Sequence, residues 1–333
     1  LQAIVPVLNV VGTIRLKAQQ WESTRLYRET RQLMLIDGQL VLPDGNAVAS
    51  RMWTDDRGRV FKSEIPALQQ VTYRVDRTTA LEANQHAMLD LADLSLVPVQ
   101  PALDQPHETR QIRYRVQLTH DDPSRIFSTV SSQIVQRIDE HTADITVSAN
   151  GPVNPLPSAP EDRPTAADQQ PSPWIQSDDP TVRSMAQEAV GEARDPAVQA
   201  QAIESYVHRT LTQKTVSTAF ATAAEVAQSR AGDCTEHAVL TAALCRAQGL
   251  PARIVVGLVY VQSKQAFAFH MWNSVWIRDR WIPLDATLGM GGTGAAHLRL
   301  SDSALDAGQS LTSFLPVIQV LGQLKLEILE VQP

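Results

Sequence analysis

The sequence predicts an α+β protein in which an all-β N-terminal domain, a meander or a sandwich, precedes a domain of mixed helices and strands. In the first half, short runs alternate apolar and polar residues between turn signals, which is typical of antiparallel strands. The second half begins with helical periodicity and continues with runs rich in valine and isoleucine. We therefore predict an N-terminal domain at 1–150, a linker at 151–180 and a second domain at 181–333.

Strand-like alternation recurs through the first 150 residues. The alternating runs lie at 13–17, 32–36, 52–54, 71–75, 110–118 and 134–147. Between the earlier runs, residues that favour tight turns cluster at 37–38, 43–46 and 55–58. Short strands joined in this way form a meander or a sandwich.

Eight prolines stand between residues 151 and 180, together with serine, aspartate and glutamine. Proline stiffens an extended chain, and few residues in this stretch could join an apolar core. The composition therefore predicts an extended linker between the two domains. Helical patterns follow at 181–193, 196–212 and 222–229.

A cysteine at the start of a predicted helix is the most informative single residue. Cys234 lies in the run Ala-Gly-Asp-Cys-Thr-Glu-His-Ala, and apolar residues then recur with helical spacing to residue 248. Asp233 has the position of an N-cap, and Glu236 stands at the capping-box offset from it. The positive end of the helix dipole favours a thiolate, which is the nucleophilic form of cysteine.

Two predicted strands carry the other candidate residues. Residues 252–261 are typical of a buried strand, and 267–277 alternate so that His270, Trp272, Ser274 and Trp276 share one face. A turn at 278–280 leads into a second strand that ends at Asp285. If the loop holds two residues, Asp285 lies opposite Trp272 and diagonal to His270, within side-chain reach of it.

A thiol, an imidazole and a carboxylate in this arrangement are the parts of a cysteine acyl-transfer triad. Cys234 would attack a carbonyl carbon, His270 would transfer the proton, and Asp285 would orient the imidazole. The backbone N–H of Cys234 is a natural oxyanion donor. Trp272 or Trp276 could form a wall of the substrate groove.

Each of these residues also has a simpler interpretation. A free cysteine is most often a small buried hydrophobe, which is the interpretation we favour for Cys245. His237, three residues after Cys234, is a structural or groove-lining residue or else a competing base. Cys234 and His237 alone do not make a zinc site, because no second close pair of ligands is present. The sequence therefore predicts no metal and no cofactor.

Four separated blocks of the chain resemble the core of the transglutaminase-like superfamily. They are Gly-Asp-Cys at 232–234, the run at 244–253, His-Met-Trp at 270–272 and Trp-Ile-Pro-Leu-Asp at 281–285. The resemblance covers about residues 180–290 and is greatest to the bacterial branch described as cysteine proteases. It implies a papain-like α+β core.

The resemblance also implies that Cys234, His270 and Asp285 form the triad. Members of the superfamily include protein-crosslinking acyltransferases, peptidases, deamidases and peptide-N-glycanases. The bacterial branch usually has glutamate four residues after the histidine, whereas this chain has Ser274 there. The departure leaves the triad intact but removes any role that this glutamate carries.

Composition restricts the partners. The net charge is −7 with a pI near 5.6, so nothing favours nucleic acid or an anionic membrane surface. Two cysteines provide no disulfide framework, and no apolar run is long enough to span a membrane. The chain starts at Leu1 and not at methionine, which indicates a processed or truncated product; from this we expect a location outside the cytoplasm, in the periplasm or cell envelope.

The leading functional hypothesis is therefore a cysteine peptidase or amidase that hydrolyses peptide or protein amide bonds. A protein-crosslinking transglutaminase would use the same residues, with an amine in place of water as acceptor. The third alternative is a non-catalytic binding protein or envelope scaffold that has kept the fold of an enzyme.

Overall fold

The computed structural model describes residues 2–5, 10–27, 29–41, 47–66, 70–77, 79, 96–152, 156, 162–212, 221–306, 315–320 and 322–333. Over these residues the chain has the predicted α+β fold, with a β-rich N-terminal part followed by helices and strands. None of the helices in the described ranges is both long and apolar enough to cross a bilayer.

The described chain contains strands in both units, with the helices concentrated in the second. The strands are β1 (Gln2–Val5), β2 (Val10–Arg25), β3 (Thr30–Val41), β4 (Ala47–Thr54), β5 (Val60–Ile65), β6 (Gln70–Tyr73), β7 (Val97–Pro98), β8 (Gln111–Gln117), β9 (Gln133–Arg137), β10 (Thr142–Ser148), β11 (Ala252–Val261), β12 (Ala266–Ile277), β13 (Arg280–Leu284), β14 (His297–Ser303) and β15 (Lys325–Gln332). The α-helices are α1 (Pro123–Ile126), α2 (Pro180–Val190), α3 (Pro196–Thr210), α4 (Ala223–Ser229), α5 (Cys234–Ala247) and α6 (Leu315–Val320).

The chain divides into two compact units, Leu1–Leu89 and Asp90–Pro333. The first unit is an antiparallel meander in which β1 to β6 pair in chain order. Its apolar cluster is small and centres on Leu26, Leu33 and Trp53. The predicted turn at 55–58 is present, whereas 43–46 lies outside the described residues.

The predicted turn at 37–38 is wrong, because both residues lie inside β3. Asp37 pairs with β2 and β4, and Gly38 continues the same ladders. A Cβ on Gly38 would lie 2.5 Å from the hydroxyl oxygen of Ser50 on the neighbouring strand. The glycine therefore permits close packing of strands here, which is the other role of glycine in a strand pattern.

The second unit contains two antiparallel sheets, and its extent corrects the domain boundary predicted at 150. One sheet has the order β15-β8-β10-β9, and the other has the order β13-β12-β11-β14, with β7 added to the start of β12. The strands β8, β9 and β10 thus belong with the C-terminal strand β15 and not with the N-terminal meander. Tyr114 and Ile145, on β8 and β10, are fully buried in the same core as the helix α5. The alternation along these strands was recognisable in sequence, but their partner strand lies about 200 residues further on, and local patterns do not indicate it.

Helices α2 to α5 form the other layer of the second unit, and α5 is the central one. It packs against β11 and β12 on one side and against α2, α3 and α4 on the other. Almost every side chain from Glu236 to Arg246 is buried, so this helix is enclosed on all sides. Asp179 and Asp195 cap α2 and α3, and each is followed by proline at the first helical position, which has no use for a backbone N–H.

The described part of the proline-rich segment, chiefly residues 162–180, is a strap bound to the second unit, whereas its composition predicts an extended linker between domains. Asp168 is 1% exposed and accepts two hydrogen bonds from the guanidinium of Arg253, at 2.7 and 3.1 Å. The indole N–H of Trp281 donates to the backbone oxygen of Asp162, and Ile175 is fully buried. The prolines predict an extended chain, but the contacts that fix the segment to the core come from other residues. They are the buried ion pair of Asp168 with Arg253 and the buried side chain of Ile175.

We predict that Asp168→Asn lowers the free energy of unfolding by about 3 kcal/mol, because it leaves a buried guanidinium without its best partner. Urea unfolding at pH 7, followed by tryptophan fluorescence, measures the loss. Asp162→Asn is the matched control: Asp162 also pairs with Arg253, but its side chain is 73% exposed, so we expect a loss below about 1 kcal/mol. Equal losses in the two variants would contradict the role assigned to the buried pair.

Candidate active site

The hairpin of β12 and β13 places the predicted acid beside the predicted imidazole. Its turn consists of Arg278 and Asp279, both with positive φ, at 50° and 61°, as in a type I′ turn. The register pairs Asn273 with Leu284, so the next position opposite Trp272 is Asp285. The two-residue loop and the resulting register are therefore confirmed. β13 is also an edge strand of its sheet, a position that tolerates Pro283, which has no backbone N–H to donate.

The start of α5 presents the cysteine to the same place. Asp233 caps the helix by accepting from the N–H of Thr235 at 2.9 Å, and Glu236 accepts from the N–H of Asp233 at 3.0 Å. These two bonds of the capping box do not use the N–H of Cys234, which lies at the first helical position. The side chain of Cys234 is partly exposed, whereas that of Cys245 on the same helix is buried.

The imidazole of His270 stands between the thiol and the carboxylate. Its Nε2 lies 2.8 Å from Oδ2 of Asp285, and its ring also forms a side-chain hydrogen bond with Cys234. Since Nε2 is engaged with Asp285, Nδ1 is the nitrogen left for the thiol. His270 is 5% exposed and Asp285 is fully buried, so water does not compete for their bond.

The two charges stabilise each other. Burial alone would lower the pKa of His270, but the charge and hydrogen bond of Asp285, helped by Cys234, raise it from 6.5 to about 10. Burial would raise the pKa of Asp285, but the imidazoles of His270 and His297 hold it well below its usual range. At neutral pH the site therefore contains an imidazolium next to the thiol and a carboxylate behind it.

Four hydrogen bonds fix the carboxylate of Asp285. Oδ1 accepts from the backbone N–H groups of Thr287 and Leu288, at 2.9 and 3.3 Å. Oδ2 accepts from Nε2 of His270 and also from Nε2 of His297, at 2.8 and 3.0 Å. Both oxygens thus use two acceptor sites, which is close to the capacity of an ionised carboxyl group.

A second carboxyl group lies directly behind the first. Oε1 of Glu204, on α3, accepts from the backbone N–H groups of Asp285 and Gly292, each at 3.1 Å. Its other oxygen has no hydrogen-bond partner among the described residues, and the side chain is fully buried. Burial raises the pKa of Glu204 to about 7, and the nearby charge of Asp285 adds to the effect.

The tryptophans predicted to line the groove are placed differently. Trp272 is 4% exposed and stacks on His270 at a centroid distance of 6.0 Å, so it supports the ring instead of forming an open wall. Trp276 lies six residues beyond His270, about 20 Å along the strand. Its backbone N–H donates to the backbone oxygen of Pro251, just after the far end of α5, and its ring packs on Trp281. Trp276 is therefore remote from the thiol, because strand and helix run alongside each other away from the site.

His237 and Ser274 have structural contacts. Nδ1 of His237 lies 2.6 Å from the backbone oxygen of Asp233, one turn back on the same helix, and burial lowers the pKa of this imidazole. That contact agrees with the structural interpretation of His237. Ser274 is 2% exposed, and its hydroxyl accepts from the guanidinium of Arg299 at 3.2 Å.

The glycine-rich loop at 289–294, after Asp285, is bound to the rest of the unit near its C-terminal end. Asn150 and Thr293 form a two-bond bridge, and the N–H of Gly292 donates to Glu204. Gly292 has φ of +130°, and a Cβ there would lie 2.3 Å from the oxygen of Asn150. Glycine is required here because another backbone approaches closely.

Sequence reasoning missed His297 and Glu204. His297 alternates with apolar neighbours in β14, the period-two signal of a strand, but nothing local indicates which carboxylate it meets. Glu204 stands on an otherwise amphipathic helix, where a single acidic residue resembles any solvated one. Both belong to the site only through contacts between distant parts of the chain.

His270, Asp285 and His297 are residue types that also bind metals, and their nitrogen and oxygen atoms lie within 4.8 Å of one another. In this structure Nε2 of both imidazoles is bonded to the same carboxylate oxygen. A buried hydrogen-bonded cluster accounts for all three side chains.

Comparisons with known proteins bear on the segment that carries the site. Residues 183–286 match the sequence model of the transglutaminase-like superfamily. Solved structures that match include a "Putative Cysteine Protease" from Cytophaga hutchinsonii, at 18% identity and TM-score 0.43 over 65% of this chain and 83% of that one. The periplasmic domain of TgpA from Pseudomonas aeruginosa matches at 18% identity and TM-score 0.36, over 57% and 77% of the two chains. A TGase matches at 14% identity and TM-score 0.27, over 46% and 43%. No curated protein matches this chain.

We predict that Glu204→Gln becomes more stable relative to the wild type as the pH rises. The carboxyl of Glu204 has a pKa near 7 when folded and 4.5 as the ordinary value, so its burial costs nothing below about pH 4.5 and most above pH 7. The stability difference between variant and wild type should change by roughly 3 kcal/mol in this window. Urea unfolding at pH 5 and pH 8 measures it.

The control for this titration is Glu192→Gln, since the side chain of Glu192 is 99% exposed. Its stability difference from the wild type should be the same at both pH values. A Glu204→Gln difference that is equally flat would show that the buried carboxyl does not titrate in this range.

Proposed function

We propose, from the match of residues 183–286 to the transglutaminase-like superfamily, that the protein is a thiol-dependent enzyme that hydrolyses amide bonds in peptides or proteins. The observation that carries the proposal is the buried ion pair of His270 and Asp285 beside a partly exposed thiol at a helix start. A structural cysteine needs neither the exposure nor the charged partner.

In the first step, the imidazolium of His270 and the helix dipole favour the thiolate of Cys234. The sulfur attacks the carbonyl carbon of the scissile amide, and the carbonyl π electrons move to oxygen. The N–H of Cys234, free of the capping box, is placed to donate to this oxyanion. When the C–N bond breaks, His270 gives its proton to the leaving amine, and a thioester remains.

In the second step, His270 takes a proton from water, and the hydroxide oxygen attacks the thioester carbon. The C–S bond then breaks, the carboxylic acid leaves, and the thiolate and imidazolium are restored. Asp285 keeps the proton on Nε2 of His270 throughout, so that Nδ1 always faces the sulfur and the substrate. An amine in place of water would give transamidation through the same thioester.

We predict that Cys234→Ala lowers the rate of peptide hydrolysis by about 10⁴ or more, because the nucleophile is lost. Hydrolysis of a casein-derived peptide mixture, followed by mass spectrometry with and without added glycine ethyl ester, measures it. New amide products with the amine would identify a transglutaminase, and newly freed peptide ends would identify a hydrolase.

The control is Cys245→Ala, which removes the other thiol from the same helix. Burial raises the pKa of Cys245 to about 12, so it should neither catalyse nor react with iodoacetamide at pH 6–7. We expect Cys245→Ala to keep its activity and a single alkylated cysteine. Hydrolysis that persists in Cys234→Ala would exclude the thiol mechanism, and a wild-type protein inert to iodoacetamide would favour the binding or scaffold alternative.

We predict that Asp285→Asn lowers the rate by about 10²–10⁴, because control of the imidazole tautomer and stabilisation of its cation are lost together. Ser274→Ala should cost about tenfold or less, since it removes one neutral acceptor for Arg299. Rates of the two purified variants, with folding checked by circular dichroism, test the pair. Equal losses would make Ser274 a direct participant and reopen the assignment of the third triad member.

A further inference from the structure

Asp285 has two imidazole partners, although a cysteine triad needs only one. Nε2 of His297 lies 3.0 Å from Oδ2 of Asp285, the oxygen that also binds His270. An ionised carboxylate only accepts, so each Nε2 carries a proton and donates it to this oxygen. One oxygen atom therefore divides its acceptor capacity between the proposed general base and a second histidine.

The backbone fixes His297 in this position. It is the first residue of β14 and pairs with Val259 of β11, and its side chain is 4% exposed. Nδ1 lies 3.3 Å from the backbone oxygen of Gly294, at the end of the glycine-rich loop. The ring packs edge-on against Trp272 at a centroid distance of 5.4 Å. The second donor is thus held by a sheet and an aromatic contact, and it is not a surface side chain that happens to reach inward.

Resting on the proposed hydrolase function, we propose that His297 is a positioning residue that holds Oδ2 of Asp285 and weakens the hydrogen bond which this oxygen accepts from Nε2 of His270. A carboxylate that accepts a second hydrogen bond is a weaker acceptor for the first. His270 must hold its Nδ1 proton while the thiolate forms and then release that proton to the leaving amine. An imidazolium that the Nε2–Asp285 hydrogen bond stabilises too strongly is a poor acid at Nδ1. His297 would keep the hydrogen bond between Asp285 and His270 strong enough to stabilise the imidazolium and weak enough to let it act as an acid.

The groups that face His297 make this effect specific to Asp285. The ring of His270 approaches His297 from β12. The ring of His107, from the segment before β8, has its centroid 5.7 Å from that of His297. Burial lowers the pKa of His107 to about 4, so this neighbour is neutral. The carboxyl group of Glu204 accepts from the backbone N–H of Asp285 and not from the side chain of Asp285. Arg299, further along β14, is engaged with Ser274 and Asp302. Asp285 is therefore the one charged side chain among the described residues that hydrogen-bonds to His297.

Three variants separate the hydrogen bond from the ring. His297→Phe keeps a ring and removes the donor, whereas His297→Gln removes the ring and keeps an N–H near the place of Nε2. His107→Phe changes the neighbouring ring, which has no hydrogen bond to Asp285. The readouts are the rate of iodoacetamide alkylation of Cys234 as a function of pH, which needs no substrate, and turnover of the casein-derived peptides.

We expect His297→Phe to shift the acidic limb of the alkylation profile down by about one pH unit, because an Asp285 with one donor fewer stabilises the imidazolium and hence the thiolate. Turnover should fall about tenfold, since His270 then gives up its proton less readily. His297→Gln should restore the wild-type profile, and His107→Phe should leave it unchanged. An unshifted profile in His297→Phe, or an equal shift in His107→Phe, would overturn the proposal.

If His297→Phe does not fold, nuclear magnetic resonance of the wild-type protein tests the proposal. Spectra of protein labelled with ¹⁵N-histidine should show two slowly exchanging Nε2 protons, one on His270 and one on His297, and the loss of both in Asp285→Asn. A single such proton would overturn the proposal. Failure of the underlying hydrolase proposal is a separate outcome: wild-type Cys234 would then not react at pH 6–7, whatever His297 does.

Discussion

The buried carboxylate of Asp285 is the constraint on which the rest of the site depends. A fully buried negative charge is strongly unfavourable unless hydrogen bonds and a positive partner compensate for it. Four donors do so here, two from the backbone of the following turn and two from imidazoles on separate strands. The hairpin register, the start of β14 and the turn after β13 must therefore all be correct at once for this residue to be ionised.

The pKa values of the two carboxyl groups at this point are shifted in opposite directions for a physical reason. Asp285 and Glu204 are both buried and are linked through one backbone N–H. Asp285 has imidazoles beside it, which lower its pKa, whereas Glu204 has only backbone donors on one oxygen and none on the other, so burial raises its pKa to about 7. The second charge in this pair therefore forms only at a higher pH than the first, which is how neighbouring acids in low-dielectric sites usually divide their roles.

The second unit surrounds this cluster with segments that are far apart in sequence. The C-terminal strand β15 pairs with β8, and the proline-rich strap is bound through Asp168 to Arg253 of β11, the strand next to His270. Arg253 also stacks on Trp281 at 4.3 Å, which lies on the hairpin that carries Asp285. Strap, hairpin and central strand thus meet at one guanidinium, that of Arg253.

Several features were determined by local sequence alone. The capping box and apolar period predicted α5 to within one residue of its end, and the β12–β13 turn length fixed the face on which Asp285 lies. Such features are decided within about twenty residues, by backbone hydrogen bonds and by the two periodicities of side chains. The positions of Cys234, His270 and Asp285 relative to their own helix and strands could therefore be inferred from these local patterns.

Tertiary structure alone decided the rest. Residues 111–148 alternate like the strands before them, yet they pair with the C-terminal strand, since strand pairing is set by burial against partners and not by composition. The prolines at 151–180 predicted an extended chain but not that Asp168 would be buried against Arg253. His297 and Glu204 have no local signature, because their role consists only of a hydrogen bond to Asp285 made across the fold. Sequence determined which residues could do the chemistry, and packing decided which charges surround them.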